Sequence, residues 1–196
     1  MRRVIVGGGL EAVTFQTVAA EAGISIRLVQ YYFGTKNEFL LATHRSVMQD
    51  AGARFHQRWT TLGPGATPRE AIHAVLTELL PLNEQRREEV IVLNVFATAA
   101  IAGRGITAEE TFAAPQALVA IVTDQLRRTQ SADRSGLNGA PERDAELITM
   151  TIGGLAQAML QNFITPQSAL ELIDHLLDRV LGTTNADTDS TRSASN

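Results

Sequence analysis

The sequence predicts an all-α protein with a small helix-turn-helix head followed by a larger helical body. Three observations carry that prediction. Apolar residues recur at three- and four-residue spacing along most of the chain. Ser/Thr starts and Gly stops punctuate these runs. No alternating strand pattern follows residue 6.

The elements come in this order. Val4-Ile5-Val6 before Gly7, Gly8 and Gly9 looks like a strand and a phosphate loop, and Gly7-x-Gly9-x-x-Ala12 fits a dinucleotide-binding fingerprint. That fold requires strands alternating with helices, whereas a helix begins at once after Thr14. The opening is therefore read as the frayed end of a first helix, with Val4, Ile5 and Leu10 packing under the helix-turn-helix and Gly9 turning the chain. Thr14 caps a helix carrying Phe15, Val18, Ala19 and Ala22 on one face, and Gly23 stops it. Ser25 caps a second short helix through Phe33. After the break at Gly34-Thr35, a long helix is expected over 36–62, with Phe39, Leu40, Val47, Ala51, Phe55 and Trp59 recurring along it.

"GPGATP" (63–68) is the clearest internal boundary. A helix over 69–82 with Ile72, Val75, Leu76 and Leu79 inward is expected to end or bend at Pro81. The next, 84–102, is so apolar from Val90 to Ile101 that burial all round is expected. A helix over 107–129 holds Pro115 near its first turns. A polar loop (131–142) precedes a helix pair, 142–162 and 166–181, and the tail beyond has no large apolar residue. The expected organisation is a helix-turn-helix head over 1–45 with a short first helix, a helical body over 46–182, and a disordered tail over 183–196.

Composition narrows the function. The 196 residues include no Cys, which removes disulfides and thiolate chemistry and is compatible with the cytoplasm, the expected location. No run of 18 apolar residues is present, so no membrane span is expected. Net charge is −4, yet residues 1–46 carry two more basic than acidic side chains, leaving a surplus of six acidic groups elsewhere. A basic head on an acidic body suits binding a polyanion at one end. His44, His56, His73 and His175 are scattered, and Glu88-Glu89 and Glu109-Glu110 are adjacent rather than facing pairs. No catalytic residue, metal site or cofactor is expected; the chain does not read as an enzyme.

The informative stretch is "TFQTVAAEAGISIRLVQYYF" (14–33). Ala19, Ala22 and Gly23 let two short helices cross closely, and Ile24, Val29 and Phe33 anchor the second on the first. Ile26, Arg27, Leu28, Gln30, Tyr31 and Tyr32 are left facing outward, toward a major groove. This segment, extended to "GLEAVTFQTVAAEAGISIRLVQYYFGTKNEFLLA" (9–42), closely resembles the DNA-binding signature of the TetR family of transcriptional repressors. Its most specific part is Tyr31-Tyr32-Phe33-Gly34-x-Lys36-x-Glu38. A weaker similarity to BetI-type members runs through "LLPLNEQRREEVIVLNVFA" and the last two helices.

The resemblance implies roles by position. Gln16 and Thr17 would lie at the backbone or groove edge, and Gln30 would read adenine. Arg27 would reach guanine or phosphate, and Leu28 a thymine methyl. Tyr31, Tyr32 and Lys36, the chain's single lysine, would hold phosphates. It further implies a small-effector pocket in the C-terminal helices, for which Phe55, Trp59, His73, Asn94, Phe96, Thr98, Phe112, Met150 and Gln157 are the candidate lining. The BetI-type likeness points to a choline-like cation, which Trp59 would suit. Gly153, Gly154, Ala158 and the stripe Leu170, Ile173, Leu177, Val180 are the candidate dimer interface. The expected function is a homodimeric repressor on a palindromic DNA operator, released by its effector. Only eight residues precede Gly9, so a helical ligand-binding protein with weakened or lost DNA binding is the alternative.

Overall fold

The computed structural model describes residues 1–104, 107–132 and 140–182; for 108–113 and 130–132 it describes the backbone alone. The expected tail and most of the 131–142 loop lie outside the described residues. Among those described there are nine helices and no strand: α1 (Arg2–Gly8), α2 (Phe15–Ala22), α3 (Ile26–Phe33), α4 (Lys36–Leu62), α5 (Pro68–Glu78), α6 (Glu84–Ile101), α7 (Ala108–Ala132), α8 (Pro141–Leu160) and α9 (Pro166–Leu181). The triple glycine thus closes a helix rather than cradling a phosphate.

The helix starts obey local chemistry. Thr14, Ser25, Thr35, Thr67, Asn83 and Thr165 each accept a hydrogen bond from a first-turn amide, as the cap preference predicts. Gly23 ends α2 in the left-handed conformation (φ 66°, ψ 30°), which turns the chain into α3 without a Cβ penalty.

Two apolar cores result. The head core gathers Ile5, Val13, Val18, Ala19, Val29, Phe39, Leu40 and Val47, and α6 inserts Val92 and Phe96 into it. The body core packs Ile72, Leu76 and Leu80 against Val122, Leu126, Ile148, Ile152, Ile173 and Leu177. Helix α4 runs unbroken from one core toward the other. A charge network also joins them: Arg2 of α1 binds Asp50 of α4, and Arg54 of α4 grips the buried Glu89 of α6 with both guanidinium ends. Arg86 closes the network on Glu78 of α5 at 2.7 Å.

Three expectations are corrected. α5 ends at Glu78, three residues short of Pro81, because the residue before proline is pushed out of helical geometry; Leu79 is consequently exposed. Helix α6 is not buried all round: it buries only the stripe Glu89, Val92, Phe96, Ala99 and shows Asn94, Thr98 and Ile101 to solvent. Pro115 lies inside α7, past its first turns.

Candidate nucleic-acid interface

The head presents α3 on a rigid base. Phe39 of α4 lies 4.7 Å from Phe33 and 6.1 Å from Phe15 between ring centroids, tying α2, α3 and α4 together. Val29, fully buried, fixes the rotation of α3 about its axis. Ile26, Arg27, Leu28, Gln30, Tyr31 and Tyr32 are then all exposed, as the spacing predicts. Ile24 is the exception. It is exposed rather than an anchor, because its place in the turn is held by its amide bonding the Ala19 carbonyl.

Tyr31 is 81% exposed and Tyr32 71%, so neither is a core aromatic. Their rings meet edge to face at 5.5 Å, which stiffens the pair while both phenols stay accessible. Two large aromatics left in water at one helix face make a surface that gains by being covered.

The start of α4 is equally constrained. The Thr35 hydroxyl accepts from the Glu38 amide (3.2 Å), and the Glu38 carboxylate accepts from both the Thr35 hydroxyl and amide (2.8 Å each). The Thr35 hydroxyl, and then its amide, hold the Glu38 carboxyl below its usual range. A Cβ at Gly34 would come within 2.8 Å of that carboxylate, and φ there is +62°, so glycine is required. The motif's Gly-x-Lys-x-Glu spacing therefore builds a cap that leaves Lys36 exposed at the first helical position.

Charge pairing separates the head's cations. Arg3 is bound to Glu21 at 2.5 Å and Arg2 to Asp50. Arg27, Lys36 and Arg45 form no ion pair among the described residues and are exposed. Arg45 is not legible as a site residue in the sequence, since only the pairing of the other arginines singles it out. Gln16 is exposed, as expected. Thr17 is exposed too, but its hydroxyl accepts from the Thr14 amide (3.0 Å) and donates to the Ala12 carbonyl (2.7 Å), so it is engaged in capping α2.

The residues expected to line an effector pocket do not converge. Phe55 and Trp59 stack on each other at 5.9 Å, and Trp59 borders a small recess of about 180 Å³ shared with Arg128, a poor neighbour for a cation. His73 faces Asp174 at 3.8 Å, Phe96 belongs to the head core, and Met150 is 74% exposed. The Phe112 side chain lies outside the described residues. Asn94 donates to Gln157 at 2.9 Å, and Asn94 and Thr98 line a cavity of about 410 Å³ between α6 and the head.

The dimer stripe needs correction as well. Ile173 and Leu177 are fully buried in the subunit's own core, because α9 packs on α5 and α8 through that face. Leu170, Val180 and Ala158 are half-buried, and Gly153 and Gly154 exposed. On α8, α9 and the turn between them, the large apolar side chains left in water are Leu147, Met150, Phe163 and Leu172.

The family model for bacterial regulatory proteins of the tetR family matches residues 2–43, the segment forming α1 to α3 and the start of α4. The head belongs to the TetR family. Over 162 residues it is 26% identical to the transcriptional regulator PksA of Bacillus subtilis, covering 81% of this chain and 74% of that one. It is 38% identical to the transcriptional regulator BetI of Rhizobium meliloti over 74 residues, but this spans only 38% of the chain and 35% of BetI. A solved transcriptional regulator from Rhodococcus sp. RHA1 superposes with a TM-score of 0.72 at 25% identity, over 92% of this chain and 91% of that one. Among the described residues no helix is long and apolar enough to cross a membrane.

Proposed function

We propose that this TetR-family protein is a homodimeric, cytoplasmic transcriptional repressor that binds a palindromic operator and is released by a small-molecule effector. The observation that supports it most is the outward face of α3. Arg27, Gln30, Tyr31 and Tyr32 project from a helix whose opposite face is locked by Val29 and Phe33. Gln30 and Arg27 read bases in the major groove, Leu28 meets a thymine methyl, and the two phenols, Lys36 and Arg45 bind phosphates.

Two heads are needed to read half-sites about 34–36 Å apart. The exposed Leu147 and Met150 of α8, Phe163 of the connecting turn and Leu172 of α9 supply an apolar face for a second copy, and Gly154 lets the helices approach closely. On this reading the wild-type protein sediments at twice 21.2 kDa. Met150→Asp places a charge in that face and is expected to return it to a monomer at micromolar concentration. A wild-type monomer would remove the dimer from the proposal.

DNA recognition is tested by selecting duplexes from a random library. Gln30→Ala and Arg27→Ala are expected to cost about 1–3 kcal/mol and to relax preference at particular base pairs. Tyr31→Phe weakens all sequences alike. Should neither base reader alter the selected consensus, the groove assignment is wrong.

A further inference from the structure

We infer that the cleft between the head and α6 is a binding site for a small amphipathic monoanion, a carboxylate with a short apolar body. The cleft's volume of about 410 Å³ lies within the ~300–1,000 Å³ range of small-molecule sites. Its walls come from three places: Leu10 between α1 and α2, Leu40 of α4, and Val95 and Ala99 of α6. These provide apolar surface for a hydrocarbon body.

The rim supplies the charge. Lys36 and Arg104 line the cleft against one carboxylate, Glu11, which Arg104 meets at 3.4 Å. Lys36 has no ion pair among the described residues, so the site carries a net positive charge. A cation is thereby disfavoured, and a neutral ligand leaves Lys36 unanswered. Behind the rim, Asn94 is oriented by its bond to Gln157 of α8, and the Thr98 hydroxyl is turned onto the Asn94 carbonyl at 2.8 Å. The cleft is therefore framed by groups already held in place. It differs from the pocket inside the C-terminal helices that the family resemblance implies: its ligand would touch the head and the body at once.

A coupling to DNA rests on the repressor reading. Lys36 is the residue placed there on a DNA phosphate, so a carboxylate in the cleft and the operator would draw on the same ammonium. Their binding is then antagonistic, and reciprocally so.

The test uses the full chain with methyl-labelled Leu and Val, titrated with hexanoate, hexanamide and hexylammonium. Hexanoate is expected to shift the Leu10, Leu40 and Val95 methyls saturably, with hexanamide about tenfold weaker and hexylammonium without effect. Lys36→Met and Arg104→Met each weaken hexanoate by about three- to tenfold. Thr98→Phe, an exposed position on the cleft wall, blocks it. The inference is overturned if none of the probes gives a saturable shift, if all three bind alike, or if hexanoate is indifferent to both cation replacements. The titration contains no DNA, so a protein that failed to bind an operator would sink the repressor reading and leave the hexanoate result standing. With operator present, hexanoate raises the apparent Kd of the DNA; an unchanged Kd overturns the sharing of Lys36.

Discussion

Replacing Glu89 by alanine is expected to destabilise the protein by about 3–5 kcal/mol, because it strands buried cations. Glu89 is 3% exposed and accepts from Arg54 through both carboxylate oxygens, from Gln85 at 3.2 Å, and lies 3.7 Å from Arg2. Arg54 is itself three-quarters buried, and its Nε already lacks a hydrogen-bond partner. Removing the carboxylate leaves that guanidinium, among the described residues, with Glu78 at 4.0 Å as its one remaining ion-pair partner. For a chain of this size the midpoint of thermal unfolding should fall by roughly 10 °C, measured at fixed protein concentration. The double replacement of Glu89 and Arg54 by apolar residues should recover much of the loss, since no buried charge is then left alone. A Glu89→Ala protein melting within a degree or two of wild type would show that the network contributes little.

Phe96→Ala is expected to cost about 3–5 kcal/mol by a different route, the cavity left by a fully buried ring. Phe96 belongs to the sequence of the body but to the core of the head. It lies edge to face on His44 of α4 at 5.2 Å and packs among the head's apolar residues. Its loss should therefore act unevenly. Hydrogen exchange is expected to accelerate most in α2 and α3, around Val18 and Val29, while amides near Ile148 and Ile173 in the body core keep more of their protection. Equal loss of protection in both cores would mean that the head has no independent stability and that the two unfold as one unit.

The two replacements act at the junction that carries any coupling between body and DNA. Arg2, Asp50, Arg54 and Glu89 fasten α1, α4 and α6 from one side, and Phe96 fills the space between them. A ligand that moves α6 relative to the head must disturb these contacts, and it can do so only by its difference in affinity for the two arrangements.

The head is readable from the sequence because its signals are local. A Thr14 or Ser25 cap, a left-handed Gly23, and the Thr35-Glu38 cap involve partners three or four residues apart. The inward spacing of Val29 and Phe33 dictates which side chains of α3 remain outside. The body is less readable. Asn94, Thr98 and the apolar residues of α6 look like one buried run, yet which stripe is covered depends on where α1, α4 and α8 lie. For the same reason Ile173 and Leu177, a plausible dimer stripe by spacing, face their own subunit, while Phe163 and Met150 are left in water.

The helices, most of their ends and the face that α3 presents follow from the sequence alone, because hydrogen bonds and periodicities within a few residues set them. That Glu89 is a buried counter-ion, that Phe96 completes the head, and that Lys36 and Arg104 share the rim of one cleft is settled by how the helices pack. Those pairings join positions tens of residues apart. Apolar burial is non-directional, and helical spacing says which face is apolar but not what it meets.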